Sequence, residues 1–260
     1  MLFRTSLMSL LVVSLAGAAS SQTASAQTWG DLEVDIVLKG SYTPAKIVPD
    51  KDTAFCGKHK LVQEQLTVDP KTGAIANLVI YLQTGSQKVE VHPDYAKTAK
   101  EPIKIDNKGC RFEPHIVAVR TGQPLVIGNP DPIGHNTKAE FFDNPSFNEL
   151  IPAGGKIEKT FGKPEAGAVK FECSIHGWMN AYLFVKDDPY VGVSDAKGHV
   201  SIKNLPVGER TFGVWNYANV TKATINGKAE TLARGKWKVA IKPGANKYKL
   251  EIDIKDLKLQ

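Results

Sequence analysis

Four side chains carry the chemistry this sequence offers. Cys173, His176 and Met179 recur at intervals of three in Val169-Lys170-Phe171-Glu172-Cys173-Ser174-Ile175-His176-Gly177-Trp178-Met179, and His135 closes the upstream stretch Pro130-Asp131-Pro132-Ile133-Gly134. A thiolate, two imidazoles and a thioether make up the soft donor set that copper prefers: a trigonal Cys/His/His group with a weak axial sulfur. Zinc accepts Cys and His equally well but has little use for a thioether. A cysteine nucleophile with a histidine base is the other chemistry such a pair offers, yet nothing else in the chain resembles a hydrolase site. Taken singly, each residue reads more simply. A lone buried Cys is a small core hydrophobe, and a lone loop His is a solvated side chain. Their joint order makes the case for metal.

The elements that must position these residues are strands. Alternation sets Val169, Phe171 and Cys173 on one face, so Cys173 points inward where its strand ends. A second strand over Ala181-Tyr182-Leu183-Phe184-Val185 returns Met179, Ala181, Leu183 and Val185 to a shared face. Leu125–Asn129 reads as the strand that feeds the His135 loop. Ile103–Ile105 and Ile116–Val119 are further strands, and Phe147, Ile151 and Phe161 mark others between Pro/Gly turns.

The set Phe112-x-Pro114, Gly122, Asn129, His135-Asn136 and Cys-x-x-His-x-x-Met resembles the cupredoxins over roughly residues 102–187. Its short ligand loop is most similar to that of the amicyanins, plastocyanins having a longer His-to-Met segment. The wider pattern resembles the secreted cupredoxin-domain proteins labelled methylamine-utilisation proteins. This resemblance implies a Greek-key β-sandwich and one copper ion held by His135, Cys173, His176 and Met179. It also implies one-electron exchange with a redox partner protein, and no enzymatic activity. Asn136 and Ser174 would tie the two ligand loops together. The edge of His176 would reach solvent, framed by Ile133, Gly134, Gly177 and Trp178 as a docking patch. The chain departs from the pattern at Gly177, where related loops often carry Pro.

Composition bounds the setting. Met1-Leu2-Phe3-Arg4, the apolar run Leu7–Ala18 and Ala24-Ser25-Ala26 make a secretory signal peptide over 1–26, which leaves 260 − 26 = 234 residues, periplasmic or secreted. No second long apolar run follows, so no membrane span is expected. Three cysteines in an exported chain mean one pair and one left over. A ligand thiolate must stay out of a disulfide, so Cys56 and Cys110 would pair, the alternative being two buried free thiols. Net charge is +6, and residues 221–260, with ten Lys/Arg against four Asp/Glu, hold all of it. Such an end would dock an acidic partner. The simpler reading is a strand with a solvated lysine face, Lys236, Lys238 and Lys242 alternating with Trp237, Val239 and Ile241. Nucleic acid is not an expected partner of an exported chain without an aromatic platform.

Outside the copper region the sequence is again β. Leu32, Val34, Ile36 and Leu38 alternate as far as Gly40, Ser41–Asp52 is loop, and Leu78–Leu82 is a strand covered on both sides. Val191–Gly208 holds two strands joined by a turn at Asp195–Gly198, a third strand, Thr211–Trp215, follows, and the three resemble the transthyretin-like modules found beside carboxypeptidases. The expected fold class is therefore all-β, with a copper sandwich over 102–187. A second small β-sandwich would be split between an N-terminal region, 27–101, and a C-terminal region, 188–260. His59, His92, His115 and His199 read as surface or structural. Copper storage or delivery, or a surface-binding module with an accessory copper unit, are the alternative functions.

Overall fold

A computed structural model describes residues 28–85 and 87–259, so the leader expected over 1–26 lies outside the described residues. The chain is almost wholly β, with one short α-helix, Thr53–Cys56, and three 3-10 turns among the described residues.

The strands between Ile103 and Lys186 form two sheets. One runs in the order Phe147–Ile151, His135–Ala139, Val169–Glu172, Asn180–Lys186, Ile116–Arg120, and the other in the order Lys156–Thr160, Pro124–Gly128, Ile103–Asn107, Phe112–Glu113. Both carry a parallel pair, Asn180–Lys186 beside Ile116–Arg120 and Ile103–Asn107 beside Pro124–Gly128. Their facing sides bury Ile105, Phe112, Val117, Leu125, Ile127, Phe171, Cys173, Met179, Leu183 and Val185 in one core. The alternation along Val169–Glu172 is as expected: Val169 and Phe171 are buried and Lys170 is exposed.

Strands before and after this region form a second pair of sheets around a separate core of Leu32, Val34, Ile36, Ile80, Val200, Phe212, Trp237 and Leu250. Here Trp29–Lys39 lies between His199–Pro206 and Gly244–Asp253, parallel to the latter from Gly30 opposite Gly244 to Lys39 opposite Asp253. Lys236–Ile241 alternates exposed Lys236 and Lys238 with buried Trp237, Val239 and Ile241, the solvated lysine face that the sequence suggested. The two cores meet across a seam of Val79, Ile116, Tyr182 and Phe184 packed against Tyr81, Trp215 and Tyr217. Trp215 lies 4.8 Å from Tyr182 and 5.3 Å from Phe184, centroid to centroid. The seam explains why Asn180–Lys186 is buried on both faces.

The segment from Ala45 to Gln63 behaves differently from the rest of the N-terminal region. Ile47 N donates to Leu61 O (3.0 Å) and Gln63 N to Ala45 O (2.9 Å), making a narrow hairpin-like strap around the helix Thr53–Cys56. Ile47, Phe55 and Leu61 pack on the inner core, and a disulfide joins Cys56 to Cys110, Cα–Cα 5.6 Å. Two prolines and no hydrophobic period predict a loop over Ser41–Asp52. The structure makes that loop a cover on the ligand end of the inner sandwich.

Candidate metal centre

Each candidate ligand owes its place to a strand end. His135 opens the strand His135–Ala139, and Cys173 follows Val169–Glu172 directly. His176 sits in the turn between Val169–Glu172 and Asn180–Lys186, which closes on itself: Met179 N donates to His176 O (2.9 Å), and Cys173 N to Met179 O (3.2 Å). Because His135–Ala139 and Val169–Glu172 are neighbours in one sheet, both ligand loops leave the same end of the sandwich. His135, Cys173, His176 and Met179 are each 1 % exposed or less.

Three donor atoms converge there. His135 Nδ1 lies 3.0 Å from His176 Nδ1, and Cys173 Sγ lies 3.7 Å from His176 Nδ1. Two nitrogens about 2.0 Å and a sulfur about 2.3 Å from one ion, at trigonal angles, would stand about 3.5 Å (N to N) and about 3.7 Å (N to S) apart. The cluster thus needs only a few tenths of an ångström of opening between the rings. Met179 belongs to the same core as Cys173 and sits where the turn re-enters the sheet.

The far nitrogens of both rings are tied to carboxylates. His135 Nε2 is 3.0 Å from Asp131 Oδ2, and His176 Nε2 is 2.8 Å from Asp52 Oδ2. An imidazole that gives its Nε2–H to a carboxylate keeps a bare lone pair on Nδ1. Two such lone pairs then face each other beside a sulfur, in a space closed to water, and they repel unless a cation lies between them. Burial pushes the His135 pKa down against the opposing pull of the Asp131 bond. The donor set fits a metal ion, and the carboxylates set the tautomers for it.

Asp131 is itself held by the backbone. Gly109 and Cys110, consecutive residues with positive φ (62° and 58°), aim their N–H groups at its two oxygens, at 2.7 and 2.9 Å. The disulfide that fixes Cys110 thereby also supports the partner of His135. Cys110, Asp131 and His135 form a second close group, but a disulfide sulfur offers no thiolate.

Asn136 links the two loops. Its Oδ1 accepts from Ser174 N (2.7 Å) and Ile175 N (3.3 Å) and lies 3.4 Å from Cys173 Sγ. Its Nδ2 donates to Ser174 Oγ (3.3 Å) and Asn148 Oδ1 (2.6 Å).

The structure departs from the expected exit at His176. That ring does not reach solvent: it is 0 % exposed, with Asp52 on its outer nitrogen. Trp178 is half-buried, its ring 5.2 Å from His176 and its Nε1 donating to Cys110 O (3.0 Å). Ile133 and Gly134 are half-buried and Gly177 is exposed. A Cβ at Gly177 would meet nothing within 4 Å, so no close contact demands glycine there. The physical reason for the difference is the strap, which lies over the face that the sequence left open.

Sequence reasoning missed Asp52 and Asp131. Asp131, four residues before His135 in the same loop, had a local signal. Asp52 had none except its closeness to Cys56. Of the other histidines, His59 is exposed, His92 is half-buried against Trp29, and His199 pairs with Asp35 and Glu33. His115 is buried, its Nδ1 without a hydrogen bond and 3.8 Å from Glu64 Oε2. Burial pushes His115 down to about 4 and Glu64 up to about 7, the latter against the pull of Arg111.

No family model matches this sequence, and no curated protein is similar to it. Among solved structures its neighbours are cupredoxins. A purple cupredoxin from Nitrosopumilus maritimus is 21 % identical, matched over 32 % of this chain and 98 % of that one, TM-score 0.27. The Cu(I) form of a methionine-to-alanine mutant of amicyanin is 16 % identical over 41 % of this chain and 98 % of that one, TM-score 0.30. A Cu-containing nitrite reductase from Thermus scotoductus is 21 % identical over 40 % of this chain, which spans only 25 % of that protein, TM-score 0.30.

Proposed function

We propose that this protein is an exported one-electron carrier. In this reading, His135 Nδ1, Cys173 Sγ, His176 Nδ1 and Met179 would hold one copper ion, in a unit spanning 102–187. The observation that carries the reading is the convergence of those three atoms between two carboxylate-backed imidazoles. Bound copper supplies the one-electron couple. The protein's part is to hold the donors nearly fixed, so that little has to move between oxidation states. Asp131 and Asp52 orient the rings, Asn136 ties the loops, and burial keeps water from the ligands.

A delivery site must let its ion exchange onto a partner's ligands, whereas every donor here is closed in. The same closure leaves no open position for a substrate, which supports a carrier over an enzyme. A disulfide supports an oxidising compartment. No helix among the described residues is long and apolar enough to cross a membrane.

The test is optical. Protein loaded with Cu(II) should show an intense thiolate-to-copper band that bleaches on adding ascorbate. Cys173→Ser should abolish the band while leaving the disulfide and the far-UV spectrum unchanged. Full visible absorbance in Cys173→Ser would sink the assignment.

A further inference from the structure

With the His176 edge capped by Asp52, an electron needs another way to the surface, and the contacts around Trp178 provide one. The Trp178 ring packs 5.2 Å from His176, and its Nε1–H is bonded to the carbonyl of Cys110 at 3.0 Å. Cys110 follows Gly109 and Lys108 on one side and precedes Arg111 on the other. Those neighbours line a hollow of about 500 Å³ together with His59, Lys60 and Glu113. Within it Arg111 is bonded to Glu64 and Glu113. Lys60 and Lys108 are exposed and have no ion pair among the described residues. A concave surface with unpaired lysines, one bonded contact from the aromatic ring beside a ligand, attracts negative charge.

We infer that this hollow is where the protein meets its redox partner, and that the partner presents a cluster of carboxylates. The inference rests on the carrier reading, but part of its test does not. Copper-free protein titrated with an octaglutamate peptide should shift the amide NMR signals of Lys60, Gly109 and Cys110, and 0.5 M salt should abolish the effect. In the copper-loaded protein, one electron passes from the Cu(I) form to hexacyanoferrate(III), leaving the Cu(II) form and hexacyanoferrate(II). The double variant Lys60→Glu/Lys108→Glu should slow this exchange about tenfold at low ionic strength and speed exchange with cationic tris(phenanthroline)cobalt(III). The control Lys236→Glu/Lys238→Glu, on the outer sandwich, should change either rate less than twofold. Trp178→Phe, which keeps a ring but loses the bond to Cys110, should slow both oxidants while the visible band stays in place.

Two results would overturn the inference. One is an unchanged hexacyanoferrate rate in Lys60→Glu/Lys108→Glu. The other is peptide shifts centred on exposed Leu150 and Ile175 instead of the hollow. Absence of a thiolate–copper band in the wild type would overturn the carrier reading instead, and the peptide titration would still report on the hollow.

Discussion

At the scale of single residues, the two aspartates behind the histidines matter as much as the ligands they face. Removing a partner of this kind typically costs about 10- to 100-fold in metal affinity. Asp131→Ala should fall at the upper end, because Asp131 is buried and also holds Gly109 N and Cys110 N. Asp52→Ala should fall at the lower end, its carboxylate being 42 % exposed. Asp52→Asn, which still offers an acceptor oxygen, should recover most of that loss. Competitive copper titration measures all three, and equal affinities for Asp52→Ala and the wild type would remove Asp52 from the site. A second residue-scale expectation concerns Glu64. Its folded pKa, about 7, lies above the ordinary 4.5, so the folded state holds the extra proton between those values. Its contribution is complete below pH 4.5 and is lost as pH rises through 7. His115, lowered to about 4, acts in the opposite sense: its contribution is present above pH 6.5 and is lost as pH falls towards 4. Glu64→Gln keeps the shape without the charge. Its stability relative to the wild type should rise by roughly 1–3 kcal/mol between pH 5 and pH 8, read by urea unfolding at each pH.

At the scale of elements, the strap is the part that distinguishes this molecule. Closing a loop over a sequence separation of 54 stabilises by about 4 kcal/mol in the chain-entropy model. Cys56→Ser/Cys110→Ser should lose about that much, and trypsin should then cut after Lys58 or Lys60 faster than in the wild type. Equal cleavage rates would mean that Ile47, Phe55 and Leu61 hold the strap without the disulfide. His135–Ala139 carries no apolar alternation and reads only as the end of a loop, whereas the strands before Cys173 and after Met179 were legible in the sequence because alternation is a local signal, repeated every second residue. The strap was not. Asp52 meets His176 at a separation of 124 residues, through a segment with no period of its own, and no local pattern encodes such a contact. The expectation of an open His176 failed for that reason, whereas the Asn136–Ser174 contact, expected from the resemblance of the two ligand loops, joins residues 38 apart.

At the scale of the whole molecule, two cores share one seam. Trp215 contributes the largest ring to it and is half-buried. Trp215→Ala should destabilise by about 3 kcal/mol, the low end for such a truncation, without shifting the copper band, since the seam lies on the far side of Asn180–Lys186 from the ligands. Calorimetry should show a single transition for the wild type and a broader or split one for the variant as the cores uncouple. An unchanged profile would mean that the seam carries no cooperativity.

The parallel pairing of Trp29–Lys39 with Gly244–Asp253 has a consequence for the order of synthesis. Gly30 and Gly244 lie 244 − 30 = 214 residues apart, and at about 5–20 residues per second the first strand waits ten seconds or more for that neighbour. The inner sandwich needs no residue beyond Lys186 to complete its sheets and can close first. Trp29–Lys39 meanwhile shows one apolar face, Leu32, Val34, Ile36 and Leu38, and two open edges, the condition that invites wrong pairing. Its other face carries Asp31, Glu33 and Asp35. Three carboxylates on alternate residues repel a second copy of the same strand, and so guard a nascent chain until its last strand arrives.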